Sequence, residues 1–236
     1  MGIPVRLEMP SNPGACLMVD LSKAFSQIGI DKNYAGVDFR GLKLDLQGWN
    51  STHPIFERVF DVCKPRTIIE VGTWKGASTV HMLKLADKLA LDVQIICVDT
   101  WIGSNEVLWA NNQLRPLLNL RHGYPNLFPQ SIFNMIELDL VSRVFPLPLT
   151  STAASRLLKG MGVSADVIYI DAGHSEEEVY ADLTMYYELL RPGGAIIGDD
   201  YDYTWSGVVS AVNRFISEQK LIINSDGAKF MFIKPR

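Results

Sequence analysis

Cysteine is scarce in this sequence: the 236 residues include only Cys16, Cys63 and Cys97. The three lie far apart and form no C-x-x-C pair, so neither a zinc-ligand spacing nor a disulfide framework is visible. Cys97 falls in a run that predicts a buried strand, where a thiol is usually just a small apolar residue. This cysteine usage fits a reducing compartment, and we expect a cytoplasmic protein.

Long hydrophobic runs and a strong excess of charge are also missing. No run approaches the roughly 18 apolar residues of a membrane-spanning helix. The first residues show no basic region followed by an apolar core, so we expect no signal peptide. The formal net charge of -4 argues against general affinity for nucleic acid. We therefore expect neither a nucleic-acid partner nor a membrane partner.

Segments of strand and helix character alternate along most of the chain, which has enough residues for a large core. Strands are predicted at 67–72, 93–99, 145–150, 167–171 and 195–199, and helices at 17–28, 54–63, 76–90, 130–143, 151–160, 175–190 and 205–219. Such alternation predicts a parallel sheet with helices on both faces. Two further strands around Asp226-Gly227 predict a C-terminal antiparallel hairpin. The fold class is therefore α/β, with a doubly wound, mostly parallel seven-stranded sheet.

The domain organisation is predicted to be simple, because no linker is visible. We expect residues 1–52 to form an N-terminal helical cap on the substrate side and residues 53–236 to form one cofactor-binding unit. Segment 101–129 is a long connection without clear periodicity, and connections of this length are usually functional lids or disordered. Its aromatic content, including Trp101 and Trp109, favours an ordered lid.

The stretch Glu70-Val-Gly72-Thr-Trp-Lys-Gly76 joins a predicted strand to a predicted helix. It is not the dinucleotide fingerprint G-x-G-x-x-G, because Glu70 occupies the first glycine position. An acid there would repel a pyrophosphate, so a nicotinamide cofactor is disfavoured, and it suits a ligand with a cationic end. The helix N-terminus offers free N–H groups and the Ser78 hydroxyl, which suit a carboxylate.

Asp99 ends the next predicted strand, 27 positions after Gly72. In nucleotide-binding sheets an acid at this place takes the ribose hydroxyls. A ligand that combines an amino-acid end, a cationic centre and a ribose is S-adenosylmethionine, which we therefore predict as the cofactor.

Three further carboxylates, Asp171, Asp199 and Asp200, close the fourth and fifth predicted strands. If these strands are neighbours, the acids repel one another unless they are protonated or bound to a cation. Hard oxygen ligands of this kind suit Mg²⁺. His174 follows Asp171 by three positions, and an imidazole is suited to taking a hydroxyl proton near neutral pH. The alternative is that the acids only cap the following helices and that His174 is a surface turn residue.

The order and spacing of four motifs between residues 52 and 235 resemble class I S-adenosylmethionine-dependent methyltransferases. Within that class the chain is similar to small-molecule O-methyltransferases of the catechol and the macrolide- or aminocoumarin-sugar type. The motifs are Ile-Glu-Val-Gly-Thr-Trp-Lys-Gly-Ala-Ser, Cys-Val-Asp-Thr-Trp-Ile-Gly, Ile-Asp-Ala-Gly-His-Ser and Leu-Arg-Pro-Gly-Gly-Ala-Ile-Ile-Gly-Asp-Asp-Tyr.

The resemblance implies a role for each matched position. The methionine part of the cofactor would contact Glu70, Gly72 and Ser78, the ribose Asp99, and the adenine Trp101. The full predicted cofactor-binding set is Glu70, Gly72, Thr73, Trp74, Gly76, Ser78, Asp99, Thr100, Trp101, Thr150, Ser151 and Asp171. The resemblance further implies metal ligation by Asp171, Asp199 and Asp200, and catalysis by His174 as general base with Asp171.

The sequence thus predicts a Mg²⁺-dependent O-methyltransferase that acts on a small hydroxylated acceptor of sugar, phenolic or diol type. One alternative is a metal-independent methyltransferase of the same fold that uses nitrogen or another acceptor. A second alternative is a binding protein that keeps the S-adenosylmethionine site without transferring methyl. A homo-oligomer is possible on this reading.

Overall fold

The computed structural model describes residues 19–236, so Cys16 and the start of the helix predicted at 17–28 lie outside the described residues. The described part of the chain contains one seven-stranded sheet in the order β3-β2-β1-β4-β5-β7-β6. Its strands are β1 Thr67–Val71, β2 Gln94–Val98, β3 Val144–Leu147, β4 Ala165–Ile170, β5 Leu190–Gly198, β6 Asn224–Asp226 and β7 Lys229–Ile233. The first five strands run parallel, and β7 is antiparallel to both β5 and β6. The predicted sheet and its closing hairpin are confirmed.

Helices cover both faces of this sheet. They are α1 Leu21–Gln27, α2 Ile55–Cys63, α3 Ala77–Lys88, α4 Leu127–Glu137, α5 Ser151–Gly160, α6 Glu176–Leu189 and α7 Ser206–Gln219. One core is formed with α1, α5, α6 and α7, and the other with α2, α3 and α4. Side chains alternate between the cores along β1, where Ile68 faces α2 and α3 while Ile69 faces the opposite layer. Burial on both faces explains why the central strands are apolar at nearly every position.

The strand order places a crevice at the carboxyl edge of the sheet. From β1 the chain proceeds outward through β2 to β3, and it then returns to the other side of β1 with β4. The loops after β1 and β4 therefore depart toward opposite faces, which opens the crevice where ligands of such sheets bind. The strand-end acids predicted from the sequence all lie at this edge.

Several elements begin or end elsewhere than predicted; β3, for example, ends at Leu147 instead of 150. Three further differences have a visible cause. Strand β5 begins at Leu190 instead of 195 because the pairing with β4 resumes there across an irregularity at which Gly193 has a φ of +76°, and Gly193 N donates to Lys234 O at 2.9 Å. Strand β6 begins at Asn224 instead of 221 because Leu221 N still donates to Ile216 O and so closes α7. Helix α4 occupies Leu127–Glu137 rather than 130–143, with its proline in the first turn, where proline is tolerated.

The long connection after β2 is folded, as its aromatic content predicted. It contains a π-helical turn at Asn105–Trp109 and a 3₁₀ turn at Arg115–Leu118. Trp101, Leu108 and Leu118 are buried and join the core on the α3 side. We call residues 101–126 the lid.

Residues 19–52 pack directly on the rest of the described chain. Phe25 on α1 lies 5.2 Å from Phe145 on β3, measured between ring centroids. Lys75 Nζ donates to Asp45 Oδ2 at 2.6 Å, which ties the segment before α2 to the β1–α3 loop. The separation of a cap at 1–52 from a unit at 53–236 stays a prediction. Nowhere in residues 19–236 does a helix combine the length and the hydropathy needed to span a bilayer.

Candidate active site

A cavity of about 610 Å³ opens over the carboxyl ends of the parallel strands. This volume lies within the range typical of small-molecule sites. The loops after β1, β2, β3, β4 and β5 form its floor, and residues of the lid and of the segment before α2 form its walls. The predicted cofactor residues that line it are Gly72, Thr73, Trp74, Ser78, Asp99, Thr100, Thr150, Ser151 and Asp171.

Gly72 lets two strand-end loops approach each other closely. Its φ is +89°, and a Cβ atom built on it would lie 1.8 Å from Asp171 O. A backbone hydrogen bond from Asp171 N to Val71 O at 2.8 Å holds this approach, and Gly72 N donates to Val98 O at the end of β2, the other neighbour of β1, at 2.9 Å. Only glycine satisfies both the positive φ and the contact.

The Asp99 carboxylate fixes the β1–α3 loop from the neighbouring strand. Its Oδ2 accepts hydrogen bonds from Thr73 N at 2.9 Å and Trp74 N at 2.8 Å, and its Oδ1 accepts from Trp101 N at 2.6 Å. Burial raises the pKa of Asp99, although these N–H donors oppose the rise. Asp99 therefore shapes the cavity floor as well as lining it.

Glu70 does not line the cavity. Its side chain is fully buried and accepts hydrogen bonds from the hydroxyls of Ser78 and Thr79 at the start of α3. Burial raises the pKa of Glu70 to about 7, and the two hydroxyl donors act in the opposite direction. Glu70 thus orients Ser78, which does face the cavity, instead of reaching a ligand itself.

Two more residues that were predicted to bind the cofactor, Trp101 and Gly76, instead support the β1–α3 loop. Trp101 is buried, donates from Nε1 to Trp74 O at 2.9 Å and packs edge-on against Phe128. Gly76 adopts φ +84° at the start of α3, where a Cβ atom would lie 2.3 Å from the Met135 side chain. Neither residue lines the cavity.

The acidic residues at the ends of β4 and β5 contact different partners. Asp171 Oδ2 accepts from Tyr169 Oη at 2.7 Å, and Asp199 Oδ2 accepts from Lys229 Nζ at 2.6 Å. Asp200 Oδ2 lies 3.0 Å from His174 Nε2. Burial, together with the nearby Asp199 carboxylate, raises the pKa of Asp171 to about 7.

The arrangement of these acids does not fit a metal ion. Across residues 19–236, no group of three or more histidine, cysteine, aspartate or glutamate side chains is placed to hold one. Both Asp199 oxygens already accept hydrogen bonds, Oδ2 from Lys229 and Oδ1 from the Asp200 N–H group at 2.9 Å. The magnesium site predicted at Asp171, Asp199 and Asp200 is therefore not supported by this geometry.

His174 is held on two sides. Its Nε2 contacts Asp200, and its ring stacks on Trp205 with centroids 4.0 Å apart and an angle of 21° between the planes. His174 and Trp205 both line the cavity. The contact with Asp200 and the stack on Trp205 therefore fix the orientation of the imidazole at the cavity wall.

A family described as "Methyltransferase domain" matches residues 69–201, which is more than half of the chain and includes the floor of this cavity. The chain belongs to the methyltransferase domain family. Its fold is that of class I S-adenosylmethionine-dependent methyltransferases, as the resemblance of the motifs predicted.

Individual relatives of this chain are distant, and the matched region spans less than two thirds of the curated relative's length. "Uncharacterized protein R132" of Acanthamoeba polyphaga mimivirus is 26% identical over 157 residues, which cover 64% of this chain and 60% of the viral protein. The O-methyltransferase from Bacillus cereus, solved with SAH, has a TM-score of 0.54 at 14% identity, covering 90% of this chain and 91% of its own. The O-methyltransferase TomG from Streptomyces achromogenes, solved with SAM, has a TM-score of 0.55 at 13% identity, covering 92% of each chain.

Several residues that line the cavity are not identified from the sequence. Trp49, from the segment before α2, packs against Trp74 with centroids 5.8 Å apart, and no motif marks it. Asp182 on α6 also lines the cavity, and burial raises the pKa of Asp182 to about 6. In the sequence, Asp182 has the pattern of an ordinary exposed acid on a helix, so nothing indicates that it lines the cavity.

Proposed function

We propose that this methyltransferase binds S-adenosylmethionine in the cavity and transfers its methyl group to a hydroxyl of a small molecule. The observation that carries the proposal is the joint anchoring of Gly72 and Asp99 at the topological switch point of the sheet. This combination provides a close backbone approach and a carboxylate at the place where such folds take a nucleoside. The SAH bound to the Bacillus cereus enzyme and the SAM bound to TomG support the assignment.

The cofactor would lie across the strand ends in the order of the loops. The methionine part fits beside Gly72 and Ser78, where the N-terminus of α3 favours a carboxylate. The ribose fits beside Asp99, and the adenine beside Thr150 and Ser151 after β3. This orientation leaves the sulfonium methyl group on the side of Asp171 and His174.

His174 is proposed as the general base. Asp200 and Trp205 orient its imidazole, which takes the proton of the acceptor hydroxyl. The oxygen then attacks the methyl carbon in line, the carbon–sulfur bond breaks, and the products are a methyl ether and S-adenosylhomocysteine. Positioning of the two reactants supplies much of the acceleration in such a transfer.

No step of this proposal uses a metal ion, because the acids that would ligate it have other partners. A small acceptor agrees with a cavity walled by Trp49 and the lid. A sugar or a phenol remains the proposed class, and the homo-oligomer stays a prediction.

Transfer from methyl-labelled S-adenosylmethionine to a panel of sugars, phenols and aliphatic amines tests the proposal. The wild type should label a hydroxylated acceptor, and His174→Ala should lower the rate by at least about 100-fold while S-adenosylhomocysteine still binds. His122→Ala is the matched control, because His122 is exposed in the lid and does not line the cavity. Label on amines alone, or an unchanged rate in His174→Ala, would contradict the proposal.

A further inference from the structure

Lys229 is a fully buried lysine beside the active site. It is the first residue of β7, and its side chain is only 1% exposed. Lysine is almost never fully buried without a partner, since an unpaired ammonium group in the interior is strongly unfavourable. The proposed methyl transfer assigns no role to this residue.

The ammonium group of Lys229 links both acidic strand ends. Its Nζ donates to Asp199 Oδ2 at 2.6 Å and to Tyr169 Oη at 2.8 Å. The Tyr169 hydroxyl in turn donates to Asp171 Oδ2 at 2.7 Å.

The strand register explains why these groups meet. Gly198 on β5 pairs with Phe230 on β7, so the next residues, Asp199 and Lys229, lie opposite each other at the strand ends. Tyr169 on β4 pairs with Ile197. Because side chains alternate along a strand, Tyr169, Ile197 and Asp199 share one face of the sheet.

Two aromatic rings flank the ammonium group, which is shielded from solvent. Nζ lies 4.7 Å from the Tyr169 ring centroid and 5.4 Å from that of Phe56. Both rings belong to fully buried residues and pack edge-on against each other. Rings in this relation to an ammonium group stabilise it by cation–π attraction.

We propose that Lys229 is the resident cation of this active site: with the Tyr169 hydroxyl it holds Asp171 and Asp199 in place of a divalent metal ion. Two neighbouring carboxylates, of which Asp199 is buried, favour a compensating cation, and Lys229 supplies that charge from within the chain. Lys229 is a positioning residue, since it acts through Tyr169 and Asp199. The inference rests on the proposed function only in naming the site as catalytic.

Mn²⁺ binding followed by electron paramagnetic resonance tests the substitution of a lysine for the metal. The wild type should bind Mn²⁺ no more tightly than Asp199→Asn does. Lys229→Met, which frees the carboxylates, should bind Mn²⁺ at least about tenfold more tightly than the wild type. Lys234→Met is the matched control, because Lys234 Nζ donates only to the backbone oxygens of Tyr187 and Leu190, and it should behave as the wild type.

Two results would overturn the proposal. One is Mn²⁺ binding by the wild type that is at least about tenfold tighter than in Asp199→Asn, a comparison that stands even if Lys229→Met does not fold. The other is equal Mn²⁺ binding by the wild type and a folded Lys229→Met. Calorimetric titration of the same samples with S-adenosylhomocysteine in a chelator separates the two proposals: absent binding refutes the cofactor assignment and leaves the Mn²⁺ comparison intact.

Discussion

Replacing Gly72 by alanine should break the contact between the β1–α3 loop and the β4–α6 turn. A positive φ costs a non-glycine residue about 1–2 kcal/mol. The new Cβ would also lie 1.8 Å from Asp171 O, whereas ordinary carbon–oxygen contacts are about 3.3 Å. Separating the two backbones disrupts the hydrogen bond from Asp171 N to Val71 O that joins them, at about 1 kcal/mol. The combined loss of unfolding free energy should be about 2–3 kcal/mol.

Urea unfolding of Gly72→Ala and of Gly123→Ala measures the part that is due to the contact. Gly123 has a similar φ of +84°, and a methyl group added there would have nothing within 4 Å, so only the conformational cost applies. Gly72→Ala should therefore be less stable than Gly123→Ala by about 1 kcal/mol or more, and it should lose affinity for S-adenosylhomocysteine. Equal stabilities with undiminished affinity would refute the reasoning.

Three further predictions concern polar groups around the cavity. Burial raises the pKa of Glu70 from 4.5 to about 7. The folded state therefore binds this proton more tightly than the unfolded state, and stability falls as the pH rises through that window. The unfolding free energy of the wild type relative to Glu70→Gln should drop by about 3 kcal/mol across it, and a difference between the two proteins that does not change with pH would contradict this. Asp199→Asn removes the carboxylate partner of Lys229 and should lower the free energy of unfolding by about 3 kcal/mol. In urea unfolding, the double variant with Lys229→Met should lose less than the sum of the two single variants, and strict additivity would argue against an interaction between Asp199 and Lys229. Thr150→Ala removes the hydroxyl that caps α5 by accepting from Ala153 N at 3.3 Å, and it should lower the free energy of unfolding by about 1 kcal/mol. Thr150→Ser should match the wild type in the same assay, and an equal loss in both variants would exclude this role of the hydroxyl.

The sequence was most informative where local pattern and topology agree. Parallel strands buried on both faces are apolar runs, so their ends are visible, and each end marks the carboxyl edge of the sheet. This is why the sequence alone was enough to place Gly72, Asp99 and Asp171 at one site. The hairpin was visible from Asp226-Gly227, whereas the start of β5 was hidden because Pro192 and the following glycines are typical of turns.

Side-chain partners across distant strands were beyond sequence reasoning. Lys229 lies 30 positions from Asp199, and only the insertion of β7 beside β5 brings them together. A lone lysine close to Asp226-Gly227 looks like an exposed turn residue, so nothing in the sequence indicates that Lys229 is buried. Glu70 was placed on the correct strand, but its side chain points toward α3 rather than toward the cavity.

Calorimetric titration with S-adenosylhomocysteine is the measurement that tests the central claim most directly. The wild type should bind it, and Asp99→Asn should bind at least about tenfold more weakly, because the change disturbs both the predicted ribose contact and the loop that Asp99 anchors. Asp92→Asn is the control, since Asp92 is exposed and does not line the cavity. Binding that is lost in Asp99→Asn and kept in Asp92→Asn is the predicted result, and absence of binding by the wild type would contradict the account.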